Sequence, residues 1–417
     1  MRYHALQALV CFIAFLAVGA SGRSATVAAQ PSVQPRFVLV LTRHGVRSPT
    51  SPTELAPYTS QAWPKWEVAP GYLTPHGAAL MRQFGAYYRS YYASLFPATG
   101  CPAQGTVFIW ADVDERTIAT GKALADGIAP GCDVNAGHGP KGKDDLLFDP
   151  LPTLGRADTA LSKASTLGAI GADPNAVVDA FRGAYAALDR VLGCSTGCKK
   201  LSNVGTTIDA DPDSGLAGVS GGLDAAGTAA ENLLLEYTDG MPAVGWGRAD
   251  ESTILDIMQL HAVKSRVEHE TYYNARAEGS NLLAHIAATL DQSVAGTSTG
   301  KTRVPASARF AVIVGHDTSL SKIAGMLHLS WLMKGYLFND TPPGGALVFE
   351  VYTQGSMPAF IRLFFTAQSL AQMRAGDGSH PARVPVYVPG CPDLDCPVTT
   401  FDAIVQRSLD KRLVGAW

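Results

Sequence analysis

Arg43, His44 and Arg47 lie within five residues of one another, directly after the apolar run Phe37–Leu41 and just ahead of Ser48, Pro49 and Thr50. Guanidinium groups bind a phosphate dianion bidentately and fix its orientation. An imidazole beside them can attack phosphorus provided that it is neutral, and repulsion from the arginines favours that state. Two other stretches offer what such a displacement still requires. Arg116 follows the short apolar run Val107–Trp110, and His316-Asp317 follows Phe310–Val314. Arg116 would extend the clamp and His316 would add a donor. Asp317 would protonate the departing alkoxide and then, as carboxylate, activate water. The arginines supply the positive charge, so the scheme calls for no metal and no cofactor.

Each signal also has a plainer reading. An Arg-His pair at a strand end is often incidental, a His-Asp pair can simply cap a helix, and Arg116 alone could be a surface ion-pair residue. The full run R-H-G-x-R-x-P-T after an apolar strand is far more specific. His76, His138, His261 and His328 read as structural or exposed. Gly218-Val219-Ser220-Gly221-Gly222 fits the serine-hydrolase elbow, but that turn needs a strand before it. The preceding Asp211–Gly215 reads as a loop, so a flexible Gly-rich linker is expected.

The elements that position these residues follow from periodicity. Three short, continuously apolar strands end in the chemical groups, as in parallel strands covered on both faces. In open α/β sheets, ligands bind beyond the carboxyl ends of such strands. Thr74 and Pro75 open a helix that runs to about Tyr92, and another spans about Thr117–Gly127. After residue 136 the chain is rich in Ala, Gly, Asp and Ser. Helices are expected there over Pro174–Leu192, Asp224–Tyr237, Glu251–Tyr273 and Ser280–Ser293. Ala346–Tyr352 and Phe360–Phe365 read as an antiparallel pair at a sheet edge. The fold expected is α/β, a mostly parallel sheet flanked by helices with an inserted helical domain. Residues 30–135 and 301–417 would form the α/β domain, and 136–300 the inserted helical lid.

Composition narrows the setting. The 417 residues are 47% hydrophobic and 17% charged, with a net charge of −3. This permits a large core and offers no basic field for nucleic acid or a membrane surface. Arg2, the apolar run Ala8–Ala20 and the small residues after it read as a signal peptide over 1–29, cleaved after Ala20 or Ala29. An uncleaved anchor is the rival reading, but the run is short of the ~20 residues a spanning helix needs. The chain would then be periplasmic or secreted, with no stable membrane association after leader removal. Of seven cysteines, Cys11 lies in the leader. The other six suggest disulfides Cys194–Cys198, Cys391–Cys396 and, as the remaining pair, Cys101–Cys132. Metal binding is the alternative, against which the spacings CSTGC and CPDLDC speak.

With these residues placed, the chain resembles the histidine acid phosphatase family, in its bacterial periplasmic phytase and glucose-1-phosphatase branch. The likeness rests on RHGVRSPT (43–50), LTPHG (73–77), ADVDERT (111–117), GHDTSL (315–320) and NDTPPGGALVFE (339–350). It implies His44 as phosphorylated nucleophile and Asp317 as proton donor. Arg43, Arg47, Arg116 and His316 would be phosphate ligands, with Thr50 supporting the pocket. Glu231 and His261 stand on insert helices that line the pocket in relatives and are candidate leaving-group contacts. Phytases of this branch tend to have a lysine where this chain has Ser51, and an arginine where it has Glu278. HDTSL is nevertheless nearer the phytase form than the HDSN of glucose-1-phosphatases. The expected function is a metal-independent acid phosphomonoesterase acting on a small phosphate ester through phosphohistidine. Phytase or sugar-phosphate phosphatase activity is the alternative. A mutase-type phosphotransferase and a non-catalytic phosphate-ester binding protein are the rivals from other classes.

Overall fold

Phe37–Arg43 (β1) is buried along its whole length. The computed structural model describes residues 34–416, except 52, 196, 354 and 356, and the expected leader lies outside them. Val38 and Val40 face one apolar cluster with Phe84, Tyr88, Leu124 and Ile128. Leu39 and Leu41 face another with Ile286, Leu320 and Ile323. A strand covered on both faces has no polar side, which is why its sequence runs apolar without alternation.

After β1 come α1 (Pro75–Tyr91), β2 (Val107–Ala111), α2 (Glu115–Ile128) and β3 (Ala136–His138). A largely helical stretch follows: α3 (Thr159–Ile170), α4 (Ala176–Ala180), α5 (Arg182–Leu192), the hairpin β4 (Thr206–Ala210) and β5 (Ala217–Gly221), α6 (Gly222–Thr238), α7 (Glu251–Ser265) and α8 (Tyr272–Ala295). The chain then returns to the sheet with β6 (Phe310–Gly315), α9 (Asp317–Leu327), β7 (Ala346–Tyr352) and β8 (Phe360–Ala367). It closes with α10 (Leu370–Ala375), β9 (Ala382–Val386), β10 (Cys396–Pro397) and α11 (Val398–Ser408).

The main sheet has the order β10-β8-β7-β1-β6-β2-β3, with β9 also on β8. β1, β6, β2 and β3 are parallel. β7 pairs antiparallel with β1, and β8 with β7, β9 and β10. The sheet is therefore mixed, and its parallel half carries the strand ends of interest. β7, expected near an edge, is an interior strand between β1 and β8. Its fully buried sequence ALVFEVY has the same both-faces-covered signature as β1.

Three local expectations are corrected. The Gly-rich stretch around Ser220 is a strand whose residues alternate in burial, β5, paired with β4. Ser220 lies opposite Thr207 within that ladder, one residue before the turn into α6. The turn into α6 is made by Gly221 (φ 81°), where a Cβ would stand 2.2 Å from Gly205 O. The helix expected over Glu251–Tyr273 ends at Ser265 and passes through a π-turn, Arg266–Glu270, before α8 begins. Ala136–His138 belongs to the main sheet, so the helical stretch begins beyond it. Cys101–Cys132, Cys194–Cys198 and Cys391–Cys396 are disulfide-bonded, the pairing expected from spacing.

Candidate active site

Strand register assembles the site. Arg43 is opposite Gly315 across β1 and β6, and Ala111 is opposite Val314 across β2 and β6. Beyond the ladders, His44 N donates to Gly315 O (2.9 Å) and Asp112 N to Val314 O (3.0 Å). His44, Asp112 and His316, the residues that follow the three strands, therefore emerge side by side. The turn after His44 is pinned from two sides. Gly45 N donates to Thr120 Oγ1 on α2 (3.0 Å), and Gly77 on α1 approaches so closely that a Cβ there would lie 2.2 Å from Val46 O.

His44 is 2% exposed. Its Nδ1 lies 2.8 Å from Gly45 O, and a carbonyl only accepts, so Nδ1 carries the proton and Nε2 keeps its lone pair. Burial, reinforced by Arg43, Arg47, His316 and Arg116, holds its pKa well below the ordinary imidazole value. The His44 and His316 rings are 5.5 Å apart.

Around His44 the cations are held by anions. Arg43 Nη1 donates to Thr341 O (2.6 Å), and Nη2 bonds to Glu231 and lies 3.7 Å from Asp317 Oδ2. Arg47 Nη2 is 3.5 Å from Glu231 Oε1. Arg116 Nη2 is 2.6 Å from Asp114 Oδ2 and 3.5 Å from His316 Nδ1. His316 Nε2 is 2.8 Å from Asp112 Oδ2, so that nitrogen is the donor and Nδ1 turns toward Arg116. Thr50 is exposed at the rim, beside Gly71, which also borders Arg116.

Asp317 is the first residue of α9. Burial works against its ionisation, but Arg43 and His261 outweigh burial and hold the carboxyl well below the usual range. Glu231 is 5% exposed. Burial would raise its pKa, and Arg43, His261 and Arg47 lower it. His261, on α7, points Nε2 at both carboxylates, 3.6 Å from Asp317 and 3.7 Å from Glu231. Burial disfavours its imidazolium, yet Asp317 and Glu231 raise its pKa. A cleft of about 270 Å³ opens next to it, lined by His261, Asp340, Thr341, Phe181, Leu337 and Phe338.

Arg43, His44, Arg47, Arg116, His316 and Asp317 thus converge, joined by Glu231 and His261. Asp112, Asp114, Asp340 and the Thr341 carbonyl belong to the same network and were missed from sequence. Asp112 had a readable signal, since it directly follows its strand as His44 and His316 follow theirs. A backbone carbonyl such as that of Thr341 has none. Among the described residues, two groups bring ligand-type atoms within 4.8 Å of one another, Asp112-Asp114-His316 and Glu231-His261-Asp317. In each, a carboxylate is already paired with an arginine. Ser51 is exposed. Glu278 pairs with Lys322 Nζ and His269 Nδ1, both at 3.3 Å, and its pKa is lowered to about 2; burial opposes that shift and Lys322 drives it.

The family model of the histidine phosphatase superfamily (branch 2) matches residues 36–168. The phytase AppA of Escherichia coli (strain K12) is 31% identical over 430 residues, covering 96% of this chain and 98% of that protein. A glucose-1-phosphatase of Providencia rettgeri is 30% identical over 400 residues, covering 90% and 92%. Among solved structures, Hafnia alvei phytase in complex with tartrate superposes with a TM-score of 0.86 at 30% identity, over 93% of this chain and 100% of that one. Similarity of this extent across nearly the whole length, with the arginines, histidines and aspartate gathered at one sheet edge, places the chain in branch 2 of the histidine phosphatase superfamily.

Proposed function

We propose that this phosphatase hydrolyses small phosphate monoesters at acidic pH through a phosphohistidine on His44. Arg43, Arg47, Arg116 and His316 hold the phosphoryl oxygens, with Thr50 at the edge of the pocket, and they stabilise the charge that develops in the transition state. His44 Nε2 attacks phosphorus, the ester oxygen leaves with a proton from Asp317, and the Asp317 carboxylate then activates water. One observation carries this reading: a buried imidazole with Nδ1 committed to Gly45 O and Nε2 free, surrounded by three arginines. The helical stretch that begins beyond Ala136–His138 serves as a lid that brings Glu231 and His261 to the clamp. Three disulfides and the expected leader support export to the periplasm or the medium. No helix among the described residues is long and apolar enough to cross a membrane.

Among relatives named phytase and glucose-1-phosphatase, the substrate reading leans to simple esters over the hexakisphosphate. Ser51 supplies no cation, and the Lys322 charge is met by Glu278. Phosphate release from p-nitrophenyl phosphate with EDTA present, at about pH 5, is the test. Activity is expected, and His44→Ala should lower it roughly 10³-fold or more. Retention of activity in that variant would refute the phosphohistidine. A panel of kcat/KM values for sugar phosphates and phytate checks the substrate class.

A further inference from the structure

His261 stands between two carboxylates and is hydrogen-bonded to neither. Its Nε2 is 3.6 Å from Asp317 Oδ2 and 3.7 Å from Glu231 Oε2, within ion-pair range but beyond hydrogen-bond length. Nε2 and Glu231 Oε2 are both buried without a hydrogen-bond partner, an arrangement that costs stability. The group that must deliver a proton is itself deprived of one. Asp317 faces Arg43 at 3.7 Å and heads a helix, whose N-terminal end favours the anion. His316 is committed to Asp112 through Nε2 and is not free to resupply it.

We infer that His261 stores the catalytic proton in the free enzyme and passes it through Asp317 to the leaving oxygen once a phosphate dianion fills the clamp. The inference rests on the phosphatase reading above. The dianion sets two negative charges against the arginines, which screens their pull on Asp317 and raises the carboxylate's affinity for a proton. The proton on His261 Nε2 then moves to Asp317 Oδ2. As the bond from His44 Nε2 to phosphorus forms and the ester P–O bond breaks, Asp317 gives this proton to the leaving oxygen. In the second half, water attacks phosphorus and loses a proton to Asp317. The P–N bond breaks with its electron pair returning to His44, and Asp317 returns the proton to His261. The charged groups facing His261 fit a store. Arg43 comes from β1, Glu231 from α6 with Arg47 beyond it, Asp317 from α9 and Asp340 from the segment before β7. Its own helix adds Lys264, which is paired with Asp224. The raised proton affinity of His261 and the lowered one of Asp317 agree with this division.

The test compares His261→Gln with wild type on p-nitrophenyl phosphate, whose leaving group departs without much protonation, and on glycerol 2-phosphate, whose leaving group requires it. The loss in kcat/KM should be at least about tenfold greater on the alkyl ester. The alkaline limb of the kcat/KM profile should move to lower pH, because Asp317 alone loses its proton earlier. Adding His261→Gln to Asp317→Asn should produce no further discrimination between the two esters. Equal losses on both esters with an unmoved alkaline limb, or additive discrimination in the double variant, would overturn the proposal. Each variant serves as its own folding control, because the readout is a ratio. Wild-type turnover and its loss in His44→Ala judge the phosphatase reading separately.

Discussion

Arg43 is the most constrained side chain of the site, 1% exposed and bonded to the Thr341 carbonyl and to Glu231. A buried guanidinium must be paired, and here its partner also restrains Arg47. Glu231→Ala would leave both guanidiniums facing each other, and the expected loss is about 3 kcal/mol in urea unfolding, with phosphatase activity falling alongside. Protonation tests the same pair. The folded-state pKa values of Glu231 and Asp317 lie below their ordinary values of 4.5 and 3.8. Such groups bind fewer protons folded than unfolded at low pH, so their contribution is complete above those ordinary values. It is lost as pH falls through the depressed folded ones. His44 acts in the same direction: unfolded it protonates below 6.5, whereas folded it stays neutral. The urea midpoint should therefore decline with acid, and less steeply in Glu231→Gln. The acid limb of kcat/KM should likewise fall below the ordinary imidazole pKa.

At the scale of elements, close backbone approach holds the turn after His44. α1 and α2 cross where Gly85 meets Gly127; a Cβ on Gly127 would lie 2.0 Å from Arg82 O. Gly127→Ala should cost about 1–3 kcal/mol by overpacking, read from urea unfolding. Gly77→Ala strikes Val46 O instead, one residue from Arg47, so kcat/KM should fall more than stability does. The helix start that Thr74 and Pro75 announce is present, with Thr74 Oγ1 accepting from Gly77 N at 2.9 Å. The loop after Thr50 carries Trp63 and Trp66. It is tied to the helical stretch by Thr59 Oγ1 to Leu192 O (2.9 Å) and Trp246 Nε1 to Ala62 O (2.9 Å).

For the whole molecule, the disulfides are the covalent restraint. Cys101 and Cys132 enclose a span of 31 residues between β2 and α2 and their flanks, and Cys101→Ser with Cys132→Ser should cost about 3–4 kcal/mol by loop entropy. The two short loops should contribute less. Equilibrium unfolding of the oxidised and reduced protein checks the order. What the sequence determined was the local frame of the site: β1, β2 and β6, the residues at their ends and the disulfide pairs. These depend on neighbours in the chain, on apolar runs, caps and cysteine spacing. β5 escaped because a five-residue strand with two glycines carries too little periodicity to distinguish a hairpin from a linker. Only the tertiary structure decided which ions meet. Glu231 finds Arg43 across 188 residues, and Asp112 finds His316 across 204. Those pairings follow from strand register and from where α6 and α7 come to rest. The electrostatics of the site were settled by packing between distant segments rather than by any local pattern.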